Sequence, residues 1–224
     1  MHDCSTPTEQ SLPQDVTMPP TREMTLPVLY FGTPVALIST LNPDGTTNIS
    51  PMSSAWSLGQ TYVLGLGTDG QAVFNLRRHP ELVINLASAD LVHRVEAIAP
   101  TTGRFPVPPE KAVSHHHVTD KWTLGGFTPQ RSIDVTPARV LECPVQLEAR
   151  VGSWMPLEGG DAVALAAQVV RTHVADDIAS TRPNRVDTDR WHPLYYTFRH
   201  YFAQGEHVGT NFRAPLLDSP AVDA

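Results

Sequence analysis

The feature that most constrains the fold is a series of short apolar, β-branched runs separated by turn-forming residues. In the first of these, residues 34–41 form an apolar run that ends at residues 42–45, Asn-Pro-Asp-Gly. Pro43 fixes the φ angle that a type I turn needs, and Gly45 can adopt the positive φ of a hairpin bulge. Residues 46–50 then provide the returning strand. The sequence therefore predicts a β-hairpin over residues 34–50.

Further runs of the same kind continue along the chain. The predicted strands after the hairpin are residues 61–66, 81–86, 145–151 and 162–174. In residues 145–151 apolar and polar side chains alternate with a clean period of two. Residues 195–202 are aromatic and alternate less regularly. Residues 71–79, which Pro80 terminates, and residues 89–99 have helical character instead. At least six short strands with two or three helices predict a mainly β protein, a β-barrel decorated with a few helices.

Three segments lack this periodicity. Residues 1–24 and 214–224 are poor in large apolar side chains, and we expect a flexible N-terminal arm and a flexible C-terminal tail around a domain of residues 25–213. Residues 100–137 lie inside that domain and contain several prolines and the pair Gly125-Gly126. A loop of this length within a compact domain is usually functional, so the sequence predicts a lid or binding loop.

Composition excludes several classes of function. The chain of 224 residues carries 16 Lys and Arg against 23 Asp and Glu, a net charge of −7, so we expect no nucleic-acid partner. No apolar run approaches the roughly 20 residues of a membrane helix, and the N-terminus lacks the pattern of a signal peptide. Two cysteines, Cys4 and Cys143, cannot build a disulfide scaffold or a four-thiolate metal site. We expect a soluble, cytoplasmic protein.

Isolated motifs add little by themselves. Three consecutive histidines, residues 115–117, lack the further ligands of a metal site, and we assign no metal. The serines of residues 50–54 lack the Gly-x-Ser-x-Gly elbow of a hydrolase. Residues 65–70, Gly-Leu-Gly-Thr-Asp-Gly, have neither the dinucleotide nor the P-loop spacing. A helix beginning near Gly70 would either hold a phosphate on its free N–H groups or form an ordinary strand-to-helix turn.

The order of the motifs is more informative than any one of them, because the chain resembles the flavin reductase-like family over about residues 25–213. The segments that carry the resemblance are residues 34–45, 48–54, 70–75, 81–86, 121–128 and 143–151, with a looser match at 193–201. The resemblance implies an FMN-binding split β-barrel like that of flavoredoxins, usually a homodimer.

The resemblance also implies which residues contact the flavin. Backbone groups of one stretch would read the pyrimidine edge of the isoalloxazine ring: Asn48, Ile49, Ser50, Pro51, Met52, Ser53 and Ser54. The ribityl phosphate would meet Thr68, Gly70, Gln71 and Ala72, and Lys121 and Gly126 would approach the cofactor from the other side. His200 and Tyr201 belong to a segment that comes near the flavin face in relatives. No catalytic residue is assigned.

Two residues depart from the family pattern at the phosphate. Many relatives have Ser or Thr in place of Ala72 and a Lys or Arg near Asp69 or Gly70. Here a hydroxyl donor is missing and Asp69 adds a negative charge. Compensation is expected from backbone amides, Thr68 and Gln71, or from the arginines at positions 77 and 78.

These observations lead to one functional hypothesis and its alternatives. The leading hypothesis is an NAD(P)H:flavin oxidoreductase that passes hydride from nicotinamide C4 to flavin N5, with FMN as cofactor and FAD or riboflavin as alternatives. The second is an FMN-binding electron carrier without its own NAD(P)H site. The third is a barrel that has lost flavin binding. The partners expected are flavin, nicotinamide nucleotide, a second copy of the chain, and a monooxygenase or other redox protein.

Overall fold

The computed structural model describes residues 20–157 and 159–212, so most of the predicted arm and all of the predicted tail lie outside the described residues. A seven-stranded antiparallel sheet dominates it. Its strands are β2 (Ala36–Leu41), β3 (Thr47–Met52), β4 (Ala55–Leu58), β5 (Thr61–Gly67), β6 (Glu81–Leu86), β9 (Val145–Pro156) and β10 (Ala162–Val174). Across the sheet they lie in the order β3-β2-β6-β9-β10-β5-β4. The prediction of a mainly β protein is confirmed.

The sheet curls into a barrel because its two outermost strands are consecutive in the sequence. Strand β3 ends at Met52 and β4 begins at Ala55, so Ser53 and Ser54 lead directly from one edge of the sheet to the other. The chain bends here and leaves one partner, β2, to join another, β5. A strand that changes partners in this way leaves an opening in the barrel wall, beside the two serines.

The predicted hairpin is confirmed by β2 and β3, which pair from Ala36 opposite Met52 to Leu41 opposite Thr47. Gly45 has φ = 85°, the left-handed conformation that the turn requires. The Asp44 carboxylate accepts hydrogen bonds from the N–H and the hydroxyl of Thr46, which holds the turn. The turn residues thus fix the register of the two strands.

Two apolar cores lie on opposite sides of the sheet. The barrel interior is filled by side chains such as Ile38, Leu82 and Leu165. The second core includes Leu37 and Ile49 and is covered by the helices α2 (Val92–Ile98) and α4 (Lys121–Gly125). Helix α1 (Gln71–Arg78) packs against β2 and β3 and inserts Leu76 into the barrel core. Both helices predicted from the sequence are therefore present, the second of them extended by 3-10 turns at Ala89–Leu91 and Ala99–Thr101.

The aromatic segment near the C-terminus forms a small separate sheet. Strand β1 (Phe31–Pro34) pairs with β11 (Tyr195–Thr197), which pairs with β12 (His200–Phe202). The single run predicted over residues 195–202 is thus two short strands, because Phe198 and Arg199 adopt positive φ at the turn between them.

Residues 100–137 are not one irregular loop. They contain α3 (Pro109–Ala112), α4 and the short strand β7 (Pro129–Gln130), which pairs with β8 (Arg139–Val140). Their last part lies on the barrel, where the carboxylate of Glu148 accepts hydrogen bonds from the N–H groups of residues 133–135. Glu148 is fully buried, so the polar face of the predicted strand 145–151 is covered by this segment instead of facing solvent.

No helix of the described part of the chain has the length and apolar character needed to cross a membrane.

Candidate functional site

A cavity of about 410 Å³ opens beside the bend between β3 and β4. Its wall is formed by this bend, the end of β5, the start of α1, the small sheet and the segment after α2. It brings together eight of the thirteen residues that the resemblance implies: Ser50, Pro51, Met52, Ser53, Ser54, Gly70, Gln71 and Ala72. The bend lies at the centre of this site: the last residues of β3 remain paired with β2, whereas Ser53 and Ser54 belong to neither β3 nor β4.

Three tyrosines form an aromatic part of the wall, which we call the tyrosine wall: Tyr30, Tyr196 and Tyr201. Their rings meet edge to face, with centroids 5.3 Å apart for Tyr30 and Tyr196 and 5.5 Å apart for Tyr196 and Tyr201. The hydroxyl of Tyr30 lies 2.9 Å from Ser54 Oγ, and that of Tyr201 donates to Glu96 Oε2 at 2.9 Å. Burial and this carboxylate raise the pKa of Tyr201, so its hydroxyl group stays protonated at neutral pH and can donate to Glu96.

A different part of the wall carries charge, and we call it the lysine end: Gly67, Gly70, Gln71, Lys111 and His115. Lys111, in α3, donates to Asp69 Oδ1 at 2.5 Å. Helix α1 begins here with Gly70 as its N-cap and without a side-chain cap, so its first N–H groups lack intrahelical partners. A helix start with free N–H groups attracts an anion.

Among the groups expected to compensate for Asp69 and Ala72, the backbone N–H groups at the start of α1 face no side-chain cap, whereas the side chains of Thr68 and Gln71 are engaged elsewhere. Thr68 Oγ1 donates to the carbonyl of Gly160 at 3.1 Å, and Gln71 Nε2 donates to Asn75 Oδ1 at 2.9 Å. The two arginines, residues 77 and 78, lie in the last turn of α1, at the end away from the cavity. The cation beside Asp69 is Lys111 instead.

A second cavity, of about 650 Å³, adjoins the first and shares Gln71 with it. It is lined by Asn48 and Lys121, whose side chain is 3% exposed and donates to Asn48 Oδ1 at 2.8 Å. Burial lowers the pKa of Lys121 to about 8. Asn48 in turn donates to Ser50 Oγ at 3.1 Å. Two successive hydrogen bonds thus connect Lys121 to Ser50, which lines the first cavity.

Three residues implied by the resemblance lie in the wall of neither cavity. Ile49 is fully buried in the core beneath α2 and α4. Thr68 turns toward Gly160, as described above. Gly126 is the C-cap of α4, where φ = 66° favours glycine, and its carbonyl accepts a hydrogen bond from Arg94. The structure thus gives Gly126 a role in ending a helix.

Tyr30, Tyr196, Lys111 and His115 were not identified from the sequence as candidate site residues. Tyr30 immediately precedes β1 and Tyr196 lies in β11, and these strands pair through Thr33 and Tyr196, which are 163 residues apart and which no local pattern links. Lys111 lies in an aperiodic proline-rich stretch. The one available signal was the prediction that residues 100–137 are functional.

Comparison with known proteins identifies the chain's relatives. The profile of the flavin reductase like domain matches residues 28–205. The uncharacterised protein YdfE of Bacillus subtilis (strain 168) is 41% identical over 195 residues, which cover 86% of this chain and 94% of YdfE. Among solved structures, flavoredoxin of Desulfovibrio vulgaris (Miyazaki F) superimposes with a TM-score of 0.72 at 18% identity, over 87% of this chain and 99% of that one.

A further similar structure is nitrilotriacetate monooxygenase component B from Bacillus cereus, with a TM-score of 0.67 at 19% identity over 80% of this chain and 88% of that one. At such identities the structural matches establish the fold, a split β-barrel, as predicted. The match to the domain profile and the identity with YdfE establish more than the fold: the chain belongs to the flavin reductase-like family.

Proposed function

We propose that the first cavity binds FMN and that the protein transfers hydride between NAD(P)H and this flavin. The observation that carries the proposal is the division of the cavity wall into the tyrosine wall and the lysine end. An aromatic ring system with a phosphorylated tail needs these two environments: apolar ring contacts for one part, a cation and free N–H groups for the other. Membership of the family supports the same cofactor class.

The residues present fit a flavin. The cavity volume lies within the roughly 300–1,000 Å³ of small-molecule sites. Two glycines allow its wall to pack closely: a Cβ on Gly65 would lie 3.0 Å from Ser54 Cβ, and one on Gly70 would lie 3.2 Å from the carbonyl oxygen of Gly67. Glycine at these positions permits the close approach of β5 to the bend and the tight turn before α1.

The division of labour follows from these groups. A bound flavin would supply the hydride chemistry at its N5 atom. The bend residues, in particular Ser53 and Ser54, would orient the ring with their polar groups, and the tyrosine wall would exclude water from one side. Hydride transfer needs no acid or base from the protein, which agrees with a cavity lined mainly by neutral side chains.

Two measurements test the proposal. The absorption spectrum of the purified protein, before and after addition of FMN and removal of the excess, is expected to show a retained flavin band. Oxidation of NADH or NADPH with excess free FMN is expected to be steady. A flavin-bound protein that oxidises neither nucleotide would be an electron carrier without its own NAD(P)H site. A protein that retains no FMN, FAD or riboflavin would overturn the proposal.

The relatives' names also bear on partners. Nitrilotriacetate monooxygenase component B is named as one component of a monooxygenase, so we propose that a monooxygenase or another redox protein receives the reduced flavin or its electrons. Mixing the protein with such a component should couple NAD(P)H oxidation to substrate oxygenation.

We also propose a homodimer, since one face of the barrel is apolar and uncovered. The outer face of β4, β5, β10 and β9 carries side chains that alternate with the barrel core: Trp56, Leu58, Val63, Ala164, Ala166 and Met155. Trp56 is 57% exposed and Leu58 is 77% exposed. A second copy would cover this face in a two-fold interface, and the face adjoins the cavity through Ser54 and Gly65.

Charge placed on this face should separate the copies. The double variant Trp56→Glu/Leu58→Glu is expected to be monomeric at concentrations where the wild type has twice the mass of one chain, measured by light scattering after gel filtration. Both side chains point away from the barrel core, so the fold should persist. Val208→Glu, at an apolar residue that is even more exposed and lies outside this face, should remain dimeric. A monomeric wild type would contradict the proposed dimer.

A further inference from the structure

We propose that Lys111, assisted by His115, recognises the terminal phosphate of the flavin and so makes the cavity selective for FMN over riboflavin. This inference rests on the proposed function, because it concerns the same cavity. It assigns the phosphate cation to the segment between α2 and α4, not to the strand-to-helix turn at residues 67–71.

The position of Lys111 follows from the pairing of its segment with that turn. Gly103 forms a bridge with Gly70, which places the segment over the start of α1. The Lys111 Nζ atom lies 3.8 Å from the position that a Cβ on Gly67 would take, and it bonds Asp69 at 2.5 Å. Lys111 thus stands at the cavity wall beside the free N–H groups of the helix start.

The charge balance at this end does not repel an anion. Among the described residues that line the cavity, Lys111 is the only Lys or Arg, and it pairs with Asp69. The pair removes the negative charge that would otherwise repel a phosphate. An ammonium group has three N–H donors, so Lys111 can keep its bond to Asp69 and still donate to a phosphate oxygen.

His115 lies one helical turn further along the same segment. Its backbone N–H donates to the carbonyl of Lys111 at 2.8 Å, so the two residues move together. Its Nδ1 lies 2.8 Å from Ser114 Oγ, and its side chain lines the cavity with that of Lys111. His115 is therefore placed to add a second hydrogen bond to the same group.

This arrangement accounts for both departures from the family pattern. Ala72 and Gly70 lack the hydroxyl and the cation that many relatives have there, and Asp69 adds an opposing charge. Here both lysines of the chain line a cavity, Lys121 the second and Lys111 the first. The proposed phosphate cation, Lys111, therefore lies in α3 and not in the strand-to-helix turn, and Asp69 pairs with it.

The test compares affinities for FMN and riboflavin, measured by quenching of flavin fluorescence. The wild type is expected to bind FMN more tightly than riboflavin. Lys111→Met should weaken FMN binding by about tenfold to a hundredfold, the usual effect of losing a charge-assisted hydrogen bond. Riboflavin has no phosphate, so its affinity should change less than about twofold. Arg77→Met, which removes an exposed cation from the far end of α1, is the matched control and should change neither affinity.

A third variant separates phosphate binding from a merely structural role of the ion pair. Asp69→Asn removes one negative charge, while the amide oxygen can still accept the hydrogen bond from Lys111, so the variant should keep or increase FMN affinity. If Lys111 only anchored its segment through Asp69, then Asp69→Asn and Lys111→Met would weaken both flavins alike, and the inference would be wrong. Equal affinity of the wild type for both flavins would overturn it too, while leaving flavin binding intact. Failure of the wild type to bind either flavin would instead overturn the proposed function.

Discussion

The variant Ala72→Phe is expected to lose flavin binding by about a hundredfold or more while keeping its fold. Ala72 lies in the first turn of α1, where its small side chain is buried against the cavity wall. A phenyl ring at this position must extend into the space between the helix start and the bend. A flavin that binds in the same space would force the ring into the packed wall, and such overpacking costs about 1–3 kcal/mol. Since about 1.4 kcal/mol corresponds to a tenfold change in affinity, the upper end of this range corresponds to about a hundredfold. The measurement is fluorescence titration with FMN and with riboflavin.

Both flavins should be affected, and this distinguishes Ala72→Phe from Lys111→Met, which acts on the phosphate alone. Ala97→Phe provides the control, because it adds the same ring at an exposed position of α2. It should bind both flavins like the wild type. Circular dichroism and thermal unfolding establish whether Ala72→Phe remains folded. A folded Ala72→Phe protein with unchanged affinity would mean that flavin binds outside the first cavity, and the proposed function would need another site.

The parts of the fold that the sequence predicted are those that local interactions determine. The hairpin of β2 and β3 depends on Pro43 and Gly45, which act within four residues of each other. Helix α1 begins after Gly70 and ends before Pro80, and its amphipathic pattern is contained in eight residues. Such elements can be identified from the sequence because the residues that stabilise them are neighbours in it.

The lining of the first cavity could be predicted in part for the same reason. Residues 50–54 and 70–72 lie in two short segments that the sequence identifies, the second of them with the departures at Asp69 and Ala72, and both segments line the cavity. The tyrosine wall could not be predicted, because it depends on the pairing of β1 with β11 from the other end of the chain. Lys111 could not be assigned either, since its position follows from the bridge between Gly103 and Gly70 and not from any periodic pattern.

Glu148 shows most clearly what a local pattern cannot predict. Alternation over residues 145–151 predicts the strand that β9 contains, but it does not predict that Glu148 is fully buried. Its Oε2 accepts hydrogen bonds from the N–H groups of Asp134 and Val135, and its Oε1 accepts from Ile133 N–H and lies 2.7 Å from His173 Nε2. The carboxylate is buried because a distant segment supplies its donors. Only the tertiary structure brings them together.

Removal of this carboxylate is expected to have the largest effect on stability. In Glu148→Gln the amide oxygen can keep the hydrogen bonds from the N–H groups of Asp134 and Val135, but the amide NH₂ then faces the Ile133 N–H, which loses its acceptor. A buried donor without an acceptor costs about 1–3 kcal/mol, and the remaining bonds lose their charge-assisted character, so we expect a loss of about 3 kcal/mol in the free energy of unfolding. Urea denaturation at pH 7 measures it. The exposed carboxylate of Glu206 provides the control, and Glu206→Gln should change the free energy of unfolding by less than about 0.5 kcal/mol.

The loss should depend on pH in a defined direction. Burial acts to raise the pKa of Glu148, but the N–H groups of Ile133 and Asp134 together with His173 outweigh it, so the pKa lies below its usual value. A carboxyl group with a lowered pKa in the folded state stabilises the protein fully above its unfolded pKa of about 4.3, and this stabilisation disappears as the pH falls through the folded pKa. The difference between wild type and Glu148→Gln should therefore be constant from pH 7 to about 5 and shrink below about pH 4. The contradicting result would be a difference in the free energy of unfolding that stays constant down to pH 3 while Glu206→Gln follows the wild type. It would show that residues 133–135 do not hold the carboxylate in its charged form. The last part of the predicted lid would then be fixed to the barrel by other contacts.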